Sequence, residues 1–238
     1  MARRARIEVD GETLTGEYDG TTVSVGGGTY ELGTDATLLP PCDPGTFYCV
    51  GRNYGATVER MGYDVPDEPD FFLKGPTSLH PPNRPIEYPA FTGEFTYAAE
   101  LAAVIDEPCH DVREAAVDDV VRGYTIMNDL DCLDQQGRTA RKAFDGSAPL
   151  GPCLATDVEP GDLEMETHVA GERRQSAHTG EMFFSPREIV SYLSRRFTFR
   201  PGDVIAFGSP DNPGLLDPGD EIEMWYEGIG TLENTVAR

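Results

Sequence analysis

The stretch Gly123–Pro152 reads GYTIMNDLDCLDQQGRTARKAFDGSAPLGP, and it decides how this chain is interpreted. Asp129 follows an apolar run that is typical of a buried strand. Lys142 is one of two lysines in the whole chain, so it is not a generic surface lysine. The segment Pro149–Pro152 predicts a rigid turn, because proline restricts the backbone φ angle. A buried carboxylate and a scarce lysine so close in sequence indicate a functional site.

Other motifs lie on both sides of this stretch. VGRNY begins at residue 50, FFLKGP at 71, AELAAVID at 99, SPREIVSYLS at 185, PGDVIAFGSP at 201 and PGDEIEMWYEGIGTLENTV at 218. In this order and spacing they resemble the fumarylacetoacetate hydrolase family. The resemblance runs from Cys49 to the C-terminus.

The sequence predicts a mainly β (α+β) fold. Residues 1–45 alternate apolar and polar residues between Gly-rich breaks, which predicts a small N-terminal β appendage. The resemblance implies a mixed β-roll core over residues 46–238 with few helices. One helix is predicted over Asp111–Arg122, and another begins at the capping box Ser185–Glu188. The proline-rich stretch Asp64–Arg84 predicts an extended, mobile loop.

Acidic residues outnumber basic ones by 42 to 19, which gives a net charge of -23. Phosphate repels such a surface, so a nucleic-acid binder is disfavoured. Dispersed acidic residues with almost no lysine favour a halophilic, haloarchaeal protein whose self-repulsion is screened by salt. The alternative is an acidic mesophilic protein.

Neither a membrane span nor a secretory leader is indicated. The longest apolar run falls far short of the ~20 residues that cross a bilayer, and the N-terminus MARRARIEVD lacks an apolar region. The five cysteines include no Cys-x-x-Cys pair, and with four scattered histidines they indicate no zinc site. A cytoplasmic protein with reduced thiols is expected.

The resemblance implies a Mg²⁺ or Mn²⁺ ion held by a Glu-x-Glu pair and an Asp. Oxygen ligands suit these hard cations, and residues i and i+2 of a strand share a face. Glu100 and Asp129 match this pattern, but Ala98 replaces the first Glu. Asp131 is a candidate third ligand; alternatively, it is one more surface carboxylate. The predicted cofactor is Mg²⁺ or Mn²⁺, held by Glu100, Asp129 and Asp131 or, weakly, by two carboxylates and waters; alternatively, no metal binds.

Three other site positions depart from the family. Thr57 and Arg60 stand where the resemblance places a His and a Glu that activate water, and Leu133 stands where an Arg is common. Hydrolysis by the usual general-base mechanism is therefore doubtful. His178 could replace the base, although an exposed or hydrogen-bonded histidine without a catalytic role is the favoured interpretation.

Lys142 is the predicted catalytic residue, because an ammonium can stabilise an enolate oxygen. A structural ion pair is its alternative role. Ser209 preserves a hydroxyl that the resemblance assigns to binding the substrate carboxylate. Asn53, Tyr54 and Gln175 are further substrate-binding candidates, with supporting roles in the fold as the alternative.

Two functional hypotheses follow. In the first, the chain is an enzyme that acts on a small 2-oxo acid or β-dicarbonyl compound by metal-assisted enolisation, as an isomerase, decarboxylase, dehydratase or hydrolase. In the second, it is a non-catalytic homologue that binds a ligand or pairs with an active paralogue. The resemblance also implies a homodimer. The sequence does not identify the substrate.

Overall fold

The computed structural model describes residues 2–55, 58–59, 62, 64–211 and 214–238. The chain forms mostly β-strands: β1 Arg3–Val9, β2 Glu12–Tyr18, β3 Thr22–Val25, β4 Gly28–Glu31, β5 Thr37–Leu39, β6 Phe47–Gly51, β7 Asp70–Lys74, β8 Leu79–His80, β9 Ile86–Glu87, β10 Phe95–Thr96, β11 Ala99–Ile105, β12 Val121–Asn128, β13 Asp131–Cys132, β14 Ala148–Ala155, β15 Glu164–Val169, β16 Glu172–His178, β17 Val204–Ala206, β18 Glu221–Tyr226 and β19 Gly230–Ala237. The helices bounded within the described residues are α1 Arg138–Lys142 and α2 Pro186–Ser194, with short 3₁₀ helices at Pro76–Ser78, Glu114–Asp119 and Thr179–Glu181. The predicted mainly β, mixed fold with few helices is confirmed.

The largest sheet follows the order β4-β3-β2-β1-β14-β12-β11-β17-β6-β7, with β5 beside β1 and β8 beside β14. Most of its neighbours are antiparallel, while β17 pairs with β6 in parallel. The N-terminal strands join it through Arg3 and Arg4, which are opposite Ala155 and Leu154 of β14. The strands of residues 1–45 thus continue the sheet that carries the central strands.

The second sheet has the order β16-β15-β18-β19-β9, and it contacts β12 and β14 of the first. Its strand β18 alternates exposed and buried residues, with Ile222, Met224 and Tyr226 facing the core. By contrast, every residue of β11 and of β14 is buried. Antiparallel sheets commonly keep one face in water, and here the central strands are covered on both faces.

Helix α2 begins as predicted. Ser185 accepts the backbone N–H of Glu188, while the Glu188 side chain accepts the N–H of Ser185, so the capping box is complete. These bonds satisfy two donors that the first turn of a helix leaves free. None of the helices in the described part of the chain is long and apolar enough to cross a bilayer.

The helix predicted over Asp111–Arg122 is wrong over most of its length. Only a 3₁₀ helix at Glu114–Asp119 forms, and its N-cap is Arg113. Val121 instead starts β12, where it is opposite Ile105 of β11. Pairing of a β-branched residue in a buried sheet overrides the local helical pattern.

Two further local predictions fail because of strand pairing. The stretch Asp64–Arg84, expected to be a mobile loop, contains β7, which pairs along its length with β6. The segment Pro149–Pro152 is not a turn but lies within β14, where Leu150 and Gly151 are opposite Met127 and Ile126. Proline and glycine indicate breaks locally, yet sheet partners distant in sequence extend both segments.

Candidate functional site

Strands β11 and β12 bring Glu100 and Asp129 together. Glu100 is on β11, where Ala99 is directly opposite Asn128, the last residue of β12. Asp129 follows at once, and its N–H donates to the Ala98 carbonyl at 2.8 Å. Both carboxylates therefore line one pocket, whose volume is about 640 Å³.

Two lysines hold Asp129. Lys74 Nζ lies 2.7 Å from Oδ1, and Lys142 Nζ lies 2.5 Å from Oδ2. The side chains of Lys74 and Asp129 are 0% and 2% exposed, while that of Lys142 is 16% exposed and lines the pocket. Burial alone would raise the pKa of Asp129, but the charges of Lys142 and Lys74 outweigh it and lower that pKa. Asp129 is thus a buried anion.

Helix α1 supplies a second cationic contact next to Lys142. Arg141 forms a bidentate pair with Asp131, with Nε 2.9 Å from Oδ1 and Nη2 2.5 Å from Oδ2. Lys142 Nζ also lies 3.2 Å from Asp131 Oδ2. Burial would lower the pKa of Lys142, but Asp129 and Asp131 raise it above its usual value. Lys142 therefore presents an ammonium to the pocket.

Glu100 is held differently. Its Oε2 accepts the Gly208 N–H at 2.9 Å, and among the described residues no cation is in ion-pair contact with it. Burial, followed by the negative charge of Asp129, raises the pKa of Glu100 to about 8. Near neutral pH this side chain is largely a carboxylic acid that can exchange a proton.

The loop from Ser209 to Asp211 forms another wall. Gln175 Nε2 donates to Ser209 Oγ at 3.1 Å and to the carbonyls of Pro210 and Asp211 at 3.1 and 3.0 Å. Ser209 lines the pocket, whereas Gln175 is buried behind it. Gln175 thus supports the loop that carries Ser209, and its predicted contact with substrate stays a prediction.

Asn53 and Tyr54 lie behind the pocket lining. Asn53 Nδ2 donates to the carbonyls of Phe184 and Phe207 at 3.0 and 2.8 Å, and its Oδ1 accepts the Phe184 N–H at 2.9 Å. These bonds tie the Asn53 loop to two neighbouring segments. Tyr54 is buried, and burial and then the charge of Glu100 raise its pKa. Their predicted contact with substrate stays a prediction.

The pocket rim combines paired charges with apolar side chains. Arg52 and Arg138 both reach Asp70, at 2.8 and 2.7 Å. Leu133 and Leu215 also line the pocket, although they are 41% and 48% exposed. Leu133 is thus an apolar residue at the rim, at the position where the resemblance led us to expect an arginine.

Other predicted positions do not join this group. Thr57 and Arg60 lie outside the described residues. His178 Nδ1 accepts the Gly180 N–H at 3.0 Å, and its Nε2 is 3.2 Å from Asp162. His178 therefore has local partners, and the described residues that line the pocket do not include it.

Lys74 is the residue that the sequence interpretation missed. Besides Asp129, its Nζ donates to the carbonyls of Ser147 and Leu130 at 2.5 and 3.4 Å. These contacts join β7 to the segment that carries the pocket carboxylates. The scarcity of lysine could have indicated Lys74, because it is the only lysine besides Lys142. It was not assigned to the site because residues 64–84 were predicted to form a mobile loop.

Comparison with known proteins decides the ancestry. The sequence profile described as Fumarylacetoacetate (FAA) hydrolase C-terminal matches residues 46–237. The chain belongs to the fumarylacetoacetate hydrolase family. It is 34% identical over 200 residues to the mitochondrial oxaloacetate tautomerase FAHD1 of Bos taurus, covering 80% of this chain and 90% of that protein.

Solved structures of the family are similar over nearly the whole chain. A 5-carboxymethyl-2-hydroxymuconate delta-isomerase from Mycobacterium smegmatis has a TM-score of 0.90 and 36% identity, with 99% and 98% of the two chains covered. A fumarylpyruvate hydrolase from Pseudomonas aeruginosa, in complex with Mn²⁺ and pyruvate, has a TM-score of 0.78 and 32% identity, with 92% and 96% covered. Family relatives thus include tautomerases, isomerases and hydrolases of oxo acids.

The side chains at this pocket do not fit a Mg²⁺ or Mn²⁺ ion. Ala98 offers no donor, Arg141 occupies both oxygens of Asp131, and two ammonium groups occupy those of Asp129. Within the described ranges, no group of three His, Cys, Asp or Glu residues is placed to hold a metal. One or two carboxylates with waters can hold Mg²⁺ in proteins, but here the carboxylates of Asp129 and Asp131 are both paired with cations.

Proposed function

We propose that this protein binds a small 2-oxo acid or β-dicarbonyl compound and catalyses its enolisation, as a tautomerase or isomerase. The observation that carries the proposal is the Lys142 ammonium, which is fixed by Asp129 and Asp131 and partly exposed to the pocket. A cation held at one place in a desolvated site stabilises charge that develops there.

The reaction requires a proton to leave the carbon next to the carbonyl and another to reach the carbonyl oxygen, or the reverse. Negative charge accumulates on that oxygen in between, and Lys142 would stabilise it. Glu100 lines the same pocket and would exchange the proton, because its pKa of about 8 is close to working pH. Ser209 would donate to the carboxylate of the oxo acid.

Tautomerisation suits this site better than hydrolysis. It needs no activated water, whereas Thr57 and Arg60 replace the His and Glu that would provide one. The related proteins named above also include a tautomerase and an isomerase. A 2-oxo acid is the favoured ligand class because the related fumarylpyruvate hydrolase holds pyruvate.

The proposal is tested by following the decay of enol absorbance when the purified protein meets enol-oxaloacetate and other 2-oxo acid enols. Lys142→Met should lower kcat/KM at least a hundredfold while the circular dichroism spectrum stays unchanged. Arg173→Met is the matched control, because it removes one cation from an exposed ion pair with Glu166. A folded Lys142→Met protein with full activity would overturn the proposal.

The second candidate is a non-catalytic ligand-binding or partner subunit, which the replacements at residues 57, 60 and 98 favour. Calorimetry with pyruvate distinguishes it from the first. Binding that Lys142→Met abolishes, with no turnover of any oxo acid, supports the binding protein.

We further propose that the chain is a homodimer, as the family resemblance suggests, with a paralogue as the alternative partner. Sedimentation of the purified chain in high salt tests the assembly. A single species at the mass of one chain, 26.0 kDa, would contradict the homodimer.

A further inference from the structure

Three acidic and three basic side chains lie at the floor of the pocket or directly behind it. Its carboxylates are Glu100, Asp129 and Asp131. Its cations are Lys74, Lys142 and Arg141, which contact Asp129 and Asp131 at distances of 2.5 to 3.2 Å. This group of six is called the charge cluster below.

Both oxygens of Asp129 already have a cation within 2.7 Å. A divalent ion bound to Asp129 would lie close to two ammonium groups, and like charges at short range in a buried site repel strongly. It would also add two positive charges to a cluster in which three cations already match or exceed the negative charge of the three carboxyl groups. The local charge therefore opposes a metal at this carboxylate.

Residue 98 could supply another metal ligand, but its side chain has no donor atom. Ala98 and Glu100 are two residues apart and both line the pocket, so a carboxylate at residue 98 would project beside Glu100. Alanine has only a methyl group there. Asp131 does not compensate, since Arg141 holds both of its oxygens.

We propose that Lys74 and Lys142 take the place of a divalent cation, and that the pocket binds its anionic ligand on Lys142 without metal. Lys74 is a positioning residue: by neutralising one oxygen of Asp129 from behind, it leaves Lys142 free to face the ligand. The identity of the ligand as an oxo acid rests on the proposed function, whereas the absence of a metal requirement does not.

The first test uses the unmodified protein. Titration with Mn²⁺, followed by electron paramagnetic resonance of the free ion, should show no stoichiometric binding below millimolar concentration. Pyruvate binding measured by calorimetry should keep its affinity in excess EDTA. Stoichiometric micromolar Mn²⁺ binding, or a tenfold loss of pyruvate affinity on chelation, would overturn the inference.

The second test restores the missing carboxylate. Ala98→Glu should bind Mn²⁺ at least tenfold more tightly than the unmodified protein, because it adds a negative charge and a new oxygen ligand to the cluster. Ala98→Gln is the matched control of nearly equal size, and it should show no gain. If Ala98→Glu and Ala98→Gln bind Mn²⁺ with equal affinity, the missing carboxylate at residue 98 is not what prevents metal binding, and the inference is contradicted.

These outcomes separate this inference from the proposed function. Pyruvate binding in EDTA without any turnover would leave the metal-free site standing and refute the enzyme. Turnover that depends on added Mn²⁺ would refute the metal-free site and leave the enzyme standing.

Discussion

Asp129 and Glu100 are both buried carboxylates of one pocket, yet their surroundings give them opposite properties. Two lysines contact Asp129 and lower its pKa, so it stays charged. Glu100 receives one backbone N–H, and burial with the charge of Asp129 raises its pKa to about 8. Two equally buried carboxyl groups therefore differ in ionisation because the charged groups next to them differ.

The difference assigns different tasks to the two walls of the pocket. The Asp129 wall is a fixed ion-pair group that joins β7, α1 and the end of β12. The Glu100 wall keeps a carboxyl group whose proton is exchangeable near neutral pH. Removal of Lys74 from the first wall should mainly alter stability, and replacement of Glu100 on the second should mainly alter pH dependence.

The largest expected effect comes from Lys74→Met. Removing one partner of a buried ion pair leaves an uncompensated charge, so the free energy of unfolding should fall by about 3–5 kcal/mol. Guanidinium denaturation at constant high salt measures it. Adding Asp129→Asn should recover part of the loss, because the unpaired charge is then absent. A loss below about 1 kcal/mol would show that Lys142 alone satisfies Asp129.

A smaller effect is expected from Glu100→Gln. The proton on native Glu100 is held up to a pKa of about 8, while the unfolded chain releases it near 4.5. This group's contribution to stability is therefore full below 4.5 and is lost as pH rises to 8. The stability difference between native protein and variant should fall by at least about 1 kcal/mol across that range.

A variant on the Asp129 wall serves as a second test of the Glu100 assignment. Lys142→Met should move the pH range of the effect upward, because the charge of Lys142 lowers the pKa of Glu100 that burial and Asp129 raise. If Glu100→Gln unfolds with the same pH dependence as the native protein, Glu100 is already ionised at neutral pH, and its assignment to proton exchange is wrong.

Salt should act on the exposed acidic surface and leave the buried charge cluster almost unaffected. With a net charge of -23, the melting temperature should rise from about 0.1 M to about 3 M KCl as the Debye length shrinks from about 10 Å to below about 3 Å. The decrease in the free energy of unfolding caused by Lys74→Met should not change with salt. A melting temperature that stays flat would contradict the halophilic interpretation.

The smallest effect concerns one pair on that surface. Glu223 and Glu233 are directly opposite on β18 and β19, and burial together with the charge of Glu223 raises the pKa of Glu233. Glu233→Gln should stabilise the protein at low salt by about 0.2–1 kcal/mol, and less at high salt. An equal gain at both salt concentrations would mean that repulsion is not the cause.

Several elements of the site could be predicted because their signals are local. Glu100 sits in a fully apolar run, Asp129 ends another, and Ser209 follows a glycine after a short strand. The capping box at Ser185 likewise needs only four consecutive residues. The structure brings Glu100, Asp129, Lys142 and Ser209 to one pocket, as these signals and the family resemblance suggested.

The remaining elements depend on contacts between distant segments. The buried pair of Lys74 and Asp129 joins β7 to the end of β12, and no periodicity near residue 74 indicates it. Helix α1 has five residues, too few for a periodic pattern, yet it places both Arg141 and Lys142. Val121 also depends on a distant contact, because it belongs to β12 through its pairing with Ile105 of β11.

By itself, the sequence determined the mainly β fold and the residues available to the pocket, since these follow from local pattern. The order and spacing of its motifs gave the resemblance that the family match confirms. Only the tertiary structure decided which charges meet. It gave Asp129 two lysines, Asp131 an arginine and Glu100 a lone N–H. Ionisation and metal fit depend on distances and burial across several strands, and these are properties of the packed molecule that no local stretch of sequence contains.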